Sequence, residues 1–490
     1  MSLSKSYRLA VLIGLSASSI VTALAQHITG PSSSESPYLV RTEPGVVTVS
    51  ILTVGDAVNY KADGVTPYRM VGIPDGLGAF DNGDGTFTVL MNHELAAGRT
   101  GPSGIVRDHG FAGAFVSKWT IDKETLTVLH GEDLMKNVFA WDTNTCSYAP
   151  LTGPMFRFCS ADLPPVSAFY NAASGLGYNG RIYMNGEETG NAGRNFAHLL
   201  DGNSYELPGL GKFAHENSVA NPSTGDKTVV VGLDDTSPRG QVYIYVGTKT
   251  ASSNPIEAAG LNNGDLYGIE VIGFPQEDFN TGIPSCTPFT AYNFGDVSCE
   301  TGGQLDADSV TNGVTGFWRP EDGCWDPKHP SDFYFVTTAS FTGKSRLWRL
   351  RFVDPANPAT GGIIDMLLDG TEGHKMLDNI TVTERGEIIA LEDVGEQDHI
   401  GKVWRYNIAA DKLELVAQHD PDRFAPGAAN FLTTDEESSG VIPMDHILGS
   451  GWYLLDVQAH YATDTELVEG GQLLALHLPF MGKTEHGSSN

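Results

Sequence analysis

The amino-acid sequence predicts an all-β fold, on three observations. Glycine and proline number 57 and 26 among 490 residues, which interrupts the chain too often for long helices. Between those breaks lie short apolar segments of strand length rather than stripes of 3.6-residue period. Several of these segments run directly into carboxylates.

The expected strands are residues 86–92, 114–121, 181–185, 228–233, 242–246, 333–338, 346–352, 387–391, 402–407 and 452–457. Asn82-Gly83 and Asp84-Gly85 supply hairpin turn chemistry ahead of the first. The stretch Asp81-Asn82-Gly83-Asp84-Gly85 has the composition of a calcium loop but not the EF-hand spacing, and it reads as a plain turn. No strict sequence repeat is visible. A subtler recurrence is: Asn92-His93-Glu94, Gly186-Glu187-Glu188, Asp234-Asp235 and Glu392-Asp393 each close a buried-looking strand. In a β-propeller, equivalent strands of successive blades surround a central channel, so their ends converge at one mouth. An acidic pair after one strand is ordinarily a solvated turn. Four convergent pairs without a cation would repel one another.

Lys5 and Arg8 precede an apolar run that ends in Ala23-Leu24-Ala25, the pattern of a cleaved secretory leader over residues 1–25. Residues 26–490 are then expected to form one β-propeller domain outside the cytoplasm, secreted or periplasmic. No later stretch has the roughly 20 apolar residues of a membrane span. The chain carries a formal charge of −30, and loss of Lys5 and Arg8 with the leader would leave it more negative. Such a field argues against nucleic-acid and anionic-membrane partners and favours divalent cations. Five cysteines suggest two disulfides and one remaining thiol. Cys146 with Cys159 and Cys286 with Cys299 are the simplest local pairings, with Cys324 left over.

Taken together, these segments resemble the PhoX-type bacterial alkaline phosphatases. Asn92-His93-Glu94, His109-Gly110, Gly186-Glu187-Glu188, Gly211-Lys212-Phe213-Ala214-His215-Glu216, Asp234-Asp235, Arg319-Pro320-Glu321, Asp378-Asn379-Ile380 and Arg385-Gly386 follow the family's motif order over roughly residues 72–393. The resemblance implies an exported six-bladed propeller with inter-blade insertions, Ca²⁺ and Fe³⁺ as cofactors, and small phosphate esters as substrates. One departure stands out: Phe158-Cys159-Ser160-Ala161-Asp162-Leu163-Pro164 occupies the place of an Asn-Cys-Ala-Gly-Gly element. Cys159 is there either an iron-bound thiolate or half of a disulfide with Cys146.

Chemistry alone supports cation binding. Hard cations take six to eight oxygens, which Glu94, Glu188, Glu216, Asp235, Glu321 and Asn379 can supply, and a ferric ion would accept the Cys159 sulfur as well. Bound cations would locally invert the acidic field for an anionic substrate. Arg319 is two residues from Glu321, an arrangement that reads as a guanidinium fork for phosphate beside a metal-bound carboxylate, with a simple surface ion pair as the alternative. An extended Arg319-Pro320-Glu321 would put both on one face. His93 and His215 read as orienting or space-filling residues rather than ligands. The expected function is hydrolysis of phosphate esters, with Arg319 and Glu321 catalytic. A calcium-braced propeller without catalysis, acting as an extracellular binding module, is the alternative, and a calcium-dependent lactonase or other esterase is a third reading.

Overall fold

The computed structural model describes residues 27–98 and 101–480, so the expected leader over residues 1–25 lies outside the described residues. Almost all regular structure is strand, chiefly in large sheets of mainly antiparallel pairing, with three two-stranded ribbons beside them among the described residues. Every strand read from the sequence is present, nine of them within a residue or two of their expected ends, while the one expected over 452–457 continues to Ala462. The Asp81–Gly85 segment is a hairpin turn, in which Gly83 and Gly85 take the left-handed φ values of 79° and 94°.

Six inner strands organise the molecule: Pro74–Asp81, Phe158–Asp162, His215–Ala220, Pro320–Trp325, Leu377–Val382 and Glu436–Pro443. Each packs against the next, and the last packs against the first, so the ring closes around a central channel. From each inner strand the chain meanders outward through antiparallel neighbours. The sheets beginning at His215 and Pro320 are joined at their rims, where Thr287–Gly295 pairs with Gly362–Leu368. This arrangement is a β-propeller. Among the described residues no helix is long and apolar enough to cross a membrane.

Closure uses the N-terminal segment. Val47–Thr53 pairs with Glu469–His477 and so completes, as an outer strand, the sheet that the C-terminal segment begins. Leu39–Arg41 likewise caps the preceding sheet through His419 to Ala417. Ring closure thereby ties the two ends of the chain together, and every sheet gains a neighbour on both faces. Apolar residues of adjacent sheets fill the gaps between them. Ile51, Leu52, Phe87, Trp119, Leu454 and Leu473, for example, form one fully buried cluster between the closing sheet and the first.

The inner strands are shaped differently from the outer ones. The first residue of each pairs with its neighbour strand: Pro74 with His93, Phe158 with Glu187, His215 with Asp234, Pro320 with Thr337, Leu377 with Glu392 and Glu436 with Ala459. In all but the last, the register slips immediately after this pair. Such bulges re-aim side chains and sharpen the local twist. Gly76 lies in one of them, and a Cβ there would collide with the backbone of Ala161 on the next inner strand.

If the closing strand holds the ring, Leu52→Ala should lower the unfolding free energy by about 3 kcal/mol, the usual cost of a buried Leu-to-Ala cavity. Urea denaturation followed by tryptophan fluorescence checks this. A loss well under about 1 kcal/mol would mean that the ring stands without its N-terminal strand.

Candidate metal centre

The residue after each of those six pairs projects toward one mouth of the channel. These are Asp75, Cys159, Glu216, Glu321, Asp378 and Glu437, each second in its inner strand. One step past the partner residue on the neighbouring strand stand Glu94, Glu188, Asp235, Thr338, Asp393 and His460. Two concentric rings of polar side chains therefore arise from one repeated geometry. The sequence hides this because the equivalent residues differ in type.

Within the rings, three groups of ligand atoms lie within 4.8 Å of one another: Asp75, Glu94 and Cys159; Cys159, Glu188 and Glu216; Glu216, Glu321 and Asp378. The groups are contiguous, since Cys159 joins the first two and Glu216 the last two. Of the residues expected from the sequence, Glu94, Cys159, Glu188, Glu216 and Glu321 are thus brought together. Asp235 stands at the edge, gripped by Arg319. The Asn379 amide is engaged elsewhere: its oxygen accepts from Gly440 N at 2.8 Å, and its nitrogen donates to Asp378 Oδ1 at 2.5 Å.

Two arginines face the carboxylates from equivalent positions, each immediately before an inner strand and each left-handed, with φ of 49° at Arg157 and 58° at Arg319. Arg319 donates from Nε and Nη2 to the two oxygens of Asp235 at 2.8 and 2.9 Å, and its Nη2 lies 2.9 Å from Glu321 Oε1. Arg157 donates to Glu94 Oε1 at 2.8 Å and also to Glu188. The expected extended conformation at Arg319 is therefore corrected. A left-handed residue, rather than a shared strand face, carries its side chain to Glu321. Gln458 adds a neutral donor, its Nε2 lying 3.0 Å from Asp75 Oδ2 and 3.1 Å from Glu94 Oε2.

The expected local disulfides are corrected too. Cys159 is buried in the channel with its sulfur 3.3 Å from Asp75 Oδ2, while Cys146 lies on the surface beside Cys299. His93 and His215 point away from the mouth. His93 stacks on Phe115 and bonds Ser117 Oγ at 2.8 Å, and His215 lies tilted against the Phe213 ring with Nε2 3.2 Å from Gly211 O. Burial holds both pKa values down at about 3, so each is neutral.

The electrostatics of the mouth are unbalanced. Burial, then the neighbouring Glu94 carboxylate, raises Asp75 to about 7. The carboxyls of Glu188, Glu216, Glu321, Asp378 and Glu437 are driven well above their ordinary range, first by burial and then by neighbouring carboxylates, Glu94, Asp235, Asp378 and Asp393 among them. The same causes hold the Cys159 thiol up. His460 is the reverse case: burial opposes its charge, but a 2.6 Å bond to Glu469 and the field of Asp435 and Glu94 outweigh it, giving about 9. Two guanidiniums and one imidazolium do not neutralise this many acids. Glu216 Oε2 is buried without any hydrogen-bond partner among the described residues. Oxygen-rich, like-charged, partly orphaned groups fit hard cations, and one sulfur fits a transition metal among them.

Sequence reasoning missed Asp75, Arg157, Asp378, Glu437, Gln458 and His460 from this centre. The available signal for the missed acids was the carboxylate after the first residue of five of the six inner strands, as in Pro74-Asp75-Gly76 and Pro320-Glu321-Asp322-Gly323.

Solved structures similar to this chain include the following. The PhoX of Pseudomonas fluorescens, in complex with vanadate as a transition-state analogue, aligns with a TM-score of 0.64 at 13% identity, covering 89% of this chain and 95% of that one. Sqt1 of Chaetomium thermophilum bound to the N-terminus of ribosomal protein L10 has a TM-score of 0.38 at 6% identity, covering 82% and 96%. An α-L-arabinofuranosidase of Podospora anserina in complex with cellotriose has a TM-score of 0.34 at 9% identity, covering 87% and 96%. The first likeness shows the fold, and the other two are too distant to argue from. No protein-family model and no curated protein sequence matches the chain.

Chelation should lower the melting temperature at neutral pH, with about 3 kcal/mol lost for one site held at 100 times its dissociation constant. The loss should also depend on pH. Without cations, Asp75 and its neighbours keep protons in the fold at pH values where the unfolded chain has released them, so stability falls as pH rises from the ordinary carboxylate range through about 7. Melting curves in excess EDTA should therefore drop further at pH 8 than at pH 5.5. Equal curves at both, with metal loss verified, would contradict shared cation binding.

Glu216 lies in two of the three groups and Glu94 in one. Elemental analysis of Glu216→Gln should accordingly show more metal lost per chain than in Glu94→Gln. The opposite order would mean that the groups bind independently of their shared member.

Proposed function

We propose that this chain is an exported, PhoX-like, metal-dependent hydrolase of small phosphate esters, with Ca²⁺ and Fe³⁺ as its cations. One observation carries the reading: three contiguous groups of carboxylates and a thiol meet at one mouth of a propeller, flanked by two guanidiniums that solvent reaches. Arg157 and Arg319 keep 43% and 24% of their side-chain surface exposed there. An open cleft of about 650 Å³ is lined by Arg157, Glu188, Ala214 and Asp235 among others, the last being the carboxylate that grips Arg319. The likeness to a PhoX fold is consistent with this reading, and export rests on the leader pattern of residues 1–25.

In this proposal Asp75, Glu94, Cys159, Glu188, Glu216, Glu321 and Asp378 hold the cations. When bound, these would supply Lewis-acid charge for the phosphoryl oxygens and lower the pKa of water. The remaining work belongs to the chain. Asp235 fixes the plane of the Arg319 guanidinium through two parallel bonds, which orients the fork before substrate arrives. Glu94 and Glu188 do the same for Arg157. A phosphate entering the cleft would meet the preset Arg157 guanidinium first and reach the Arg319 fork past Asp235 at the cleft wall, and their positive charge would offset the acidic surroundings.

A second reading has its own observation. Both guanidiniums are already tied to carboxylates, as expected if they and the cations merely brace the channel of a binding module. The two readings part at Arg319 and Glu321. Arg319→Lys keeps the charge but loses the fork, so turnover of a chromogenic phosphate monoester should fall at least tenfold with metal content unchanged. Glu321→Gln should lose metal and activity together, because an amide is a poor ligand for a hard cation. A parent protein that binds metal yet hydrolyses no phosphate ester, with calcium and iron supplied, would overturn the enzyme reading in favour of the brace.

A further inference from the structure

We propose that Cys146 and Cys299 are an oxidation site, forming a disulfide that clamps the second sheet of the propeller to the third. Their sulfurs stand 3.8 Å apart and both residues are exposed. They come from unrelated places in the chain. Cys146 sits at the tip of the hairpin between Asn137–Asp142 and Ser147–Pro150, which extends the sheet carrying Cys159 and Glu188. Cys299 lies in the loop after Thr287–Gly295, the outermost strand of the sheet that begins with Glu216 and its neighbours. A disulfide sulfur pair is about 2.05 Å apart, so two surface turns need to close by less than about 2 Å. The other thiols have different surroundings: Cys159 faces the carboxylates of the channel, and the backbone N of Cys286 is bonded to Asp365.

The segment secured by this bond has a consequence for the metal centre. Three residues after Cys299 begins the helix Gly302–Thr311, opened by a reciprocal cap between Thr301 and Gln304. Leu305 of this helix is buried with Leu210 and Phe213, and Gly302 abuts the backbone at Asn191 and Lys212. Those are the loops that follow Glu188 and precede Glu216. The bond would thus anchor, from outside, the supports of two groups that share the channel mouth. Closing so long a loop also restricts the unfolded chain strongly.

The chemistry balances with a small-molecule disulfide as oxidant. The thiolate of one cysteine attacks it and releases one small thiol. The second thiolate then attacks the mixed disulfide, forms the Cys146–Cys299 bond and releases the other small thiol. Two protons leave the cysteines and two electrons reduce the oxidant. The proposal rests on neither the hydrolase reading nor the leader.

The test uses the full chain incubated with oxidised glutathione, then alkylated and digested without reduction. Thiol titration under denaturing conditions should show the loss of two of the five thiols, and mass mapping should find one linked peptide pair containing Cys146 and Cys299. Reduction should lower the melting temperature by about 4 °C in the parent and leave Cys146→Ser unmoved. Five titratable thiols, separate glutathione adducts on Cys146 and Cys299, or a bond that uses Cys286 would each overturn the proposal.

Discussion

Repulsion among carboxylates gathered in a buried channel is the constraint on which the rest of the molecule depends. A closed ring of inner strands leaves little freedom at its centre, since each strand is held by a sheet behind it and by an inner strand on either side. Side chains sent into that centre must be satisfied there or raise the energy of the whole ring. Here the second residue of every inner strand is an acid or a thiol, and most outer positions are acids as well. Arg157, Arg319, His460 and Gln458 relieve part of the strain. The remainder calls for protons or cations, and at neutral pH cations serve better because they also satisfy orphaned oxygens such as Glu216 Oε2.

The backbone accepts strain to make this arrangement. Ile73, Arg157, Arg319 and Met376 are left-handed although none is glycine, and each comes just before an inner strand. Such conformations cost on the order of 1–3 kcal/mol apiece and persist where the surroundings overdetermine them. In return the chain enters each strand at an angle that turns the next residue toward the mouth. At two of the four sites the strained residue is itself a guanidinium that grips the ring. These four are among ten left-handed non-glycine residues in the described part of the chain, and they are the ones that open inner strands at the proposed centre.

The all-β class and the second and third strands of each sheet were legible because those strands are apolar, regular and bounded by turn residues. The innermost strands were not. Pro74–Asp81 and Pro320–Trp325 carry glycine and acids on a short, bulged backbone, and they do not stand out as strands because their stability comes from neighbours rather than from their own periodicity. Glu94, Glu188, Asp235 and Asp393 were visible as acids closing apolar strands. Glu216 and Glu321 were reached through family resemblance, whereas Asp75, Asp378 and Glu437 had no apolar strand ahead of them to mark their place. Arg157 was missed although it stands, like Arg319, two residues before its channel residue: an arginine two places ahead of a ligand is too short a pattern to be noticed before the strands are superposed in three dimensions. The pairing of Cys146 was misjudged because equal local spacing is a weak guide when sheets bring distant turns together.

Anomalous X-ray diffraction from crystals grown at neutral pH, with data on both sides of the iron edge, would locate cations at the channel mouth. Anomalous peaks are expected inside the triangles bounded by Asp75, Glu94, Cys159, Glu188, Glu216, Glu321 and Asp378, with the iron signal next to the Cys159 sulfur. A channel mouth without anomalous density, its carboxyls paired through shared protons, would contradict cation binding there.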